Sequence, residues 1–200
     1  MGAFEIPPAG DGVRVTSVEV LSDDWYVLRK VGFEIRLRDG RTSLQHREAY
    51  DRGNGAAVLL YDPDRATVIL TRQFRLPAYV NGHPDGRLIE VPAGLLDESD
   101  AEEAVRREAE EEVGIRVGEV RRVFDAFMSP GSVTERLVLF AAPYSPASRV
   151  DDGGGLAAEG EEIEVIECPF ADAVAMMDSG EIADAKTIML LQWAQLHGVV

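Results

Sequence analysis

The chain has 200 residues, 46% of them apolar, which is enough for one large domain, or a main domain with a small appendage, around a real core. A formal net charge of −16 and a pI near 4.5 argue against nucleic acid and anionic membranes as partners, because both would repel the chain at long range. The one cysteine, Cys168, cannot close an internal disulfide and points to a reduced, cytoplasmic setting. No stretch approaches the ~20 apolar residues of a membrane span. The opening MGAFEIPPAG has no apolar signal-peptide core, and Ile6 breaks the myristoylation pattern.

In chain order, apolar and polar residues alternate over Val13 to Leu21, Trp25 to Leu37 and Ser43 to Tyr50, with Asp39-Gly40 as a hairpin turn between the last two. This predicts a small antiparallel sheet, too small to stand comfortably alone and therefore expected to pack against a second subunit. The register changes at Asp51 to Gly55, which sets a domain boundary near Arg52, with residues 1–51 on one side and 52–200 on the other. Ala56 to Tyr61 and Thr67 to Gln73 form a second hairpin around Asp62-Pro63-Asp64. Pro92-Ala93-Gly94 reads as a tight turn after a strand at Leu88 to Val91. Further strands are expected at about Val117 to Phe127, Arg136 to Ala141 and Glu162 to Ile166, and helices at Phe170 to Asp178 and about Asp184 to His197. The fold class is α+β, with helices on a mixed sheet.

The most informative stretch lies between these strands. Ser99 reads as an N-cap with Glu102 completing a capping box, and Gly114 suits the left-handed residue that stops a helix, so a helix is expected from about Asp100 to Val113. At about 100° per residue, Ala101, Ala104, Val105, Glu108 and Glu112 share one arc, with Glu111 at its edge. Two carboxylates in an apolar stripe conflict with ordinary packing, which marks a functional site. Glu108 and Glu112, at i and i+4, can both reach one hard cation. A backbone carbonyl near Ala93 can add a third oxygen, and Gly94 permits close backbone approach. A further acid is expected from the glycine-rich loop Asp151 to Glu162, whose glycines suggest mobility. Arg72 and Arg75 flank a strand end, and one of them is expected to grip phosphate with its planar fork. Glu135, after the loop Ser129-Pro130-Gly131, is placed to accept from sugar hydroxyls or orient water. His46, His83 and His197 are scattered, so no zinc site is expected.

The string Arg107-Glu108-Ala109-Glu110-Glu111-Glu112-Val113-Gly114-Ile115 resembles the second half of the Nudix hydrolase signature without mismatch. Gly94 stands one residue nearer to it than the family pattern has, so no role passes to Ser99 or Asp100. Tyr50 to Gly55, the Arg-Gln-Phe-Arg segment, Val80-Asn81-Gly82, the shortened box, Met128 to Gly131, Gly153 to Gly155 and Lys186-Thr187 together resemble the bacterial GDP-mannose pyrophosphatase branch. The resemblance implies a Nudix fold, mixed sheets packed between helices, with a small N-terminal antiparallel sheet that serves dimerisation. It implies Mg²⁺, with Mn²⁺ as a substitute, held by Glu108, Glu112, Glu161 and the Ala93 carbonyl, and catalysis by Glu111, Glu112 and Glu161. It further implies that Trp25 stacks on the base and that Arg47 and Glu48 reach the nucleotide across a homodimer. Arg75, Lys186, Glu135, Ala93 and Gly94 would then line the phosphates and sugar. The activity implied is Mg²⁺-dependent cleavage of GDP-mannose to GMP and mannose 1-phosphate. An ADP-ribose or ADP-sugar pyrophosphatase, which shares a proline where Pro130 stands, is the alternative, and a catalytically silent nucleotide-binding module is a third reading.

Overall fold

A computed structural model describes residues 6, 8–10, 12–96, 100–156, 160 and 162–200. It divides into two compact units, one of Met1–Asn54 with Phe127–Arg136 and one of Gly55–Ala126 with Leu137–Val200.

In the first unit, β1 (Val13–Asp23), β2 (Val27–Arg36) and β3 (Thr42–Asp51) form an antiparallel sheet in the order β1-β2-β3. Asp39-Gly40 makes the β2–β3 turn, with Gly40 at φ +86°, and the register from Val27↔Asp51 to Arg36↔Thr42 runs without a bulge. The loop after residue 127 joins this unit because Tyr50 N–H donates to the Ser132 carbonyl at 2.8 Å and Thr134 N–H donates to the Tyr50 carbonyl at 3.0 Å. That loop association was not visible in the local pattern, since the two segments are far apart in sequence.

The second unit is built on β4 (Gly55–Asp62), whose run Ala56 to Leu60 is fully buried, as expected of a strand covered on both faces. The sheet order is β10-β5-β4-β9-β8, comprising β5 (Thr67–Phe74), β8 (Arg121–Phe127), β9 (Arg136–Pro143) and β10 (Glu164–Pro169), with β6 (Arg87–Glu90) paired to β5 and β7 (Ala93–Leu95) paired to β4. β4 and β9 are parallel while β4–β5, β5–β6, β5–β10 and β4–β7 are antiparallel, so the sheet is mixed. Helix α2 (Ala101–Val113) lays Val105, Ala109 and Val113 against Ala56, Val58, Leu60 and Ile69. Strand alternation turns Ala57 and Leu59 to the other face, where α4 (Ala185–His197) contacts β4 and α3 (Phe170–Ser179) contacts β5.

Several local expectations are corrected. Pro92-Ala93-Gly94 is not a tight turn: Ala93–Leu95 is extended and pairs with Gly55 to Ala57. The α2 N-cap is Asp100, whose carboxylate accepts from Glu102 N–H at 2.8 Å, rather than Ser99, which lies outside the described residues. β8 starts at Arg121 rather than near Val117, because Val117 and Val120 turn into the core ahead of the ladder. β10 starts at Glu164 rather than Glu162. A short helix α1 (Leu76–Val80), with Pro77 in its first turn, was missed for want of periodicity in five residues.

Candidate active site

Helix α2 places the two carboxylates. Glu112, 2% exposed, accepts at Oε2 from the Ala93 N–H at 3.1 Å, which fastens β7 to the helix. Glu108 lies against the same strand. A Cβ on Gly94 would stand 2.1 Å from the Glu108 carboxyl carbon, so only glycine allows this approach. Gly55, opposite Leu95 in the ladder, is equally constrained, because its Cβ would meet the Gly94 carbonyl at 2.9 Å. Glu108 Oε1 also accepts from Arg107 Nη2 at 3.4 Å. Carboxylates at i and i+4 beside the backbone of Ala93-Gly94 bring together oxygen ligands of the kind that could hold a hard divalent cation.

The rest of the helix end works against its own dipole. Glu110, Glu111 and Glu112 occupy the last turn, where the backbone presents partial negative charge, and no basic residue sits there. Gly114 stops the helix at φ +68°. The glycine-rich segment that begins at Asp151 is fastened to this helix end: Gly154 N–H donates to the Glu112 carbonyl at 2.9 Å and Gly155 N–H donates to the Glu111 carbonyl at 3.2 Å. Gly153 is required by space, since its Cβ would lie 2.6 Å from the Glu112 carbonyl oxygen. Glu111 and Glu110 line a cleft of about 350 Å³ with Asp151, Asp152 and Gly153, so Glu111 faces the glycine loop. Glu161 lies outside the described residues, and among the described residues no group of three or more acidic, histidine or cysteine side chains converges as a ready metal site.

Behind β7 stands a charged cluster that pattern reading did not find. Glu90, on β6 and 2% exposed, accepts from Arg75 Nε at 3.0 Å and from Arg75 Nη2 at 2.8 Å. Its Oε2 also accepts from Lys186 Nζ at 2.8 Å, and Lys186 reaches Asp184 Oδ1 at 3.0 Å. Burial alone would raise the Glu90 pKa, but the Arg75 hydrogen bonds and the Lys186 charge outweigh it and hold the carboxyl at about 2. Burial would lower the Lys186 pKa, yet Glu90 and Asp184 raise it. Asp184 also caps α4, accepting from Thr187 N–H at 3.0 Å and from its hydroxyl at 2.6 Å. The Thr187 Oγ1 in turn accepts from Val91 N–H at 2.8 Å, which fixes the backbone just ahead of Pro92-Ala93. The missed signal was Glu90 itself, a lone acid inside the apolar run Leu88-Ile89-Glu90-Val91.

β5 ends at Phe74, between Arg72 and Arg75, so the two arginines part. Arg72 pairs with Glu164 at 3.3 Å and approaches Glu181 at 3.9 Å, whereas Arg75 joins the Glu90 cluster. Lys186 is 8% exposed, deeper than a residue that only meets substrate.

In the N-terminal unit, Trp25 is 79% exposed and sits edge-on to Tyr26, which is edge-on to Tyr50. The Arg52 guanidinium lies 5.6 Å from the Tyr26 ring centroid and pairs with Glu135 at 3.4 Å. Glu135 is thereby brought to the aromatic group of the sheet. Arg47 donates to the His46 carbonyl and to Gln45 Oε1, and Glu48 faces Lys30 across the ladder. As neighbours on one regular strand, Arg47 and Glu48 point to opposite faces, so the sheet does not bring them together.

Among the described residues, no helix is long and apolar enough to cross a membrane. Residues 51–191 match the NUDIX domain, and residues 12–50 match the GDP-mannose pyrophosphatase NudK N-terminal domain. The chain is 52% identical to a GDP-mannose pyrophosphatase of Pectobacterium atrosepticum over 186 residues, covering 93% of this chain and 95% of that one. It is 48% identical to a GDP-mannose pyrophosphatase of Cronobacter sakazakii over 188 residues, covering 94% and 97%. For a GDP-mannose pyrophosphatase of Klebsiella pneumoniae the identity is 49%, covering 94% of each chain. With these matches spanning the helix and strand that carry Glu108, Glu112 and Ala93, the chain belongs to the Nudix hydrolase family.

Proposed function

We propose that the protein hydrolyses the diphosphate bond of GDP-mannose, releasing GMP and mannose 1-phosphate, in a Mg²⁺-dependent reaction in which Mn²⁺ can substitute. The observation that carries this reading is the apposition of Glu108 and Glu112 to the Ala93-Gly94 backbone, in a chain whose N-terminal segment matches that of GDP-mannose pyrophosphatases. Glu108, Glu112, the Ala93 carbonyl and Glu161 would hold the cation. When bound, it supplies positive charge to the non-bridging phosphate oxygens and lowers the pKa of water. Glu111, Glu112 and Glu161 are the carboxylates assigned to the catalytic step. Gly94 makes room for the Glu108 carboxylate and lines the substrate site with its backbone, Arg75 offers its open edge to phosphate with Lys186 behind it, and Glu135 accepts from hydroxyls. Trp25, with an exposed indole, stacks on the base, and Arg47 and Glu48 reach the nucleotide across the dimer.

The working form in this proposal is a cytoplasmic homodimer, with residues 1–51 as the dimerisation unit and 52–200 as the catalytic one. Support comes from the N-terminal sheet, which leaves Val18, Val20, Leu21 and Leu44 exposed, Leu44 by 61%. A three-stranded sheet with so much uncovered apolar surface gains stability by packing against a second copy.

The test is incubation of the protein and Mg²⁺ with GDP-mannose, ADP-ribose and ADP-glucose in separate reactions, with GMP and AMP quantified by chromatography. GMP release much faster than AMP release is expected. Faster AMP release would replace the guanine reading with the ADP-sugar one.

A further inference from the structure

Arg75 has one of its two parallel donor pairs already committed. Nε and Nη2 both bind Glu90, at 3.0 and 2.8 Å, so the side-on fork is occupied and Nη1, with the second Nη2 proton, is left for another acceptor. Glu90 is the most buried member of the cluster: its side chain is 2% exposed, against 10% for Lys186, 15% for Asp184 and 38% for Arg75. The charges alternate from Asp184 through Lys186 and Glu90 to Arg75, and the Arg75 guanidinium lies in the field of Glu112 on α2. The row therefore joins the N-terminus of α4 to the helix that carries the carboxylate pair.

A buried ion pair is a poor stabiliser, because desolvation consumes most of its Coulomb energy and apolar replacements are often as stable. An arginine at a strand end, in contrast, has many rotamers, and fixing one before substrate arrives removes an entropy cost from binding. We infer that Glu90 is a positioning residue for the diphosphate subsite: its buried carboxylate, braced by Lys186, holds Arg75 in one orientation with Nη1 turned to the substrate. The inference rests on the diphosphate-cleaving reading above. Glu90 touches no reacting atom. It acts through Arg75, and Lys186 acts through Glu90.

The test compares Glu90→Gln, Glu90→Asp, Arg75→Ala and the double variant Glu90→Gln/Arg75→Ala, each checked by circular dichroism, on whichever of GDP-mannose, ADP-ribose or ADP-glucose the wild type cleaves. Glu90→Gln is expected to lower kcat/KM about tenfold, the scale of a charge-assisted hydrogen bond lost. The Mg²⁺ half-saturation should stay unchanged, and Glu90→Gln should add nothing to Arg75→Ala, because the two residues act as one unit. Glu90→Asp, which keeps the charge on a shorter arm, should fall between wild type and Glu90→Gln. A purely structural role predicts additive effects and a shifted Mg²⁺ half-saturation, and either result overturns the inference. So does wild-type kinetics in Glu90→Gln, or failure of both Glu90 variants to fold. If the wild type cleaves none of the three substrates, the parent reading fails by itself. Titration calorimetry with GDP and Mg²⁺ then decides the inference, with weaker GDP binding by Glu90→Gln expected and equal binding overturning it.

Discussion

The Glu108 carboxylate occupies the space that a side chain at Gly94 would fill: a Cβ there would meet the Glu108 carboxyl carbon and Oε1, each at 2.1 Å. The glycine is extended and paired with Ala56, so its role is spatial and not a matter of backbone conformation. Gly94→Ala must push the Glu108 carboxylate away or break the β4–β7 ladder. Displacements of about 1 Å cost on the order of 100-fold in rate, and Gly94→Ala is expected to lower kcat/KM by about that factor. Kinetics within twofold of wild type, at saturating Mg²⁺, would show that Glu108 does not need its present place.

Mg²⁺ should also act as a ligand of the folded state. A site made by Glu108, Glu112 and the backbone of β7 exists only when strand and helix are together, so binding adds RT ln(1 + [L]/Kd), about 1.4 kcal/mol for each tenfold excess over Kd. Differential scanning calorimetry is expected to show a Tm that rises with Mg²⁺ in the wild type and stays flat in Glu108→Gln/Glu112→Gln. Equal rises in both proteins would place the cation elsewhere.

Acid stability carries the signature of Glu90. Its folded pKa, about 2, lies below the ordinary glutamate value, so folding favours the charged form. The contribution is present above the unfolded pKa of about 4.3 and is lost as pH falls from there through about 2; full loss is on the order of 3 kcal/mol. Urea titrations at pH 6 and pH 3 should show a smaller loss in Glu90→Gln than in wild type. Parallel losses would mean that Glu90 is not charged in the folded protein.

Trp25 has most of its indole in solvent, an arrangement that leaves a flat apolar face free. If that face stacks on the base, Trp25→Ala removes about 1–3 kcal/mol of nucleotide affinity, since base–aromatic stacking is of that size. GDP binding followed by calorimetry is expected to weaken correspondingly, while the Mg²⁺-induced rise in Tm persists. Unchanged GDP affinity would move base recognition away from this residue.

The architecture was legible where periodicity is long. The three N-terminal strands, β4, β5, the acidic helix and both C-terminal helices lie within a few residues of their expected bounds. Glu108 and Glu112 were legible because carboxylates stand in an apolar arc, a conflict that local pattern alone exposes. The Glu90 cluster was not, since Arg75, Glu90 and Lys186 come from three elements and meet only through the packing of α4 on the sheet. The same holds for Arg52 and Glu135, joined by a loop that returns to the N-terminal sheet. β7 was misread because three residues give no period, and its pairing with β4 is a long-range choice.

The reversed polarity of α2 sets stability and activity against each other. Acidic residues in a last turn, where the backbone itself presents negative charge, are an arrangement that a search for greater heat resistance would remove, even with Arg116 paired to Glu110 at 2.6 Å. The neutral replacement Glu112→Gln relieves that repulsion, and without metal it is expected to yield a protein at least as robust as the parent yet nearly inactive. A screen that selects survivors by thermal tolerance alone would thus enrich for dead protein at this helix, whereas one that selects in the presence of both metal and substrate would keep it.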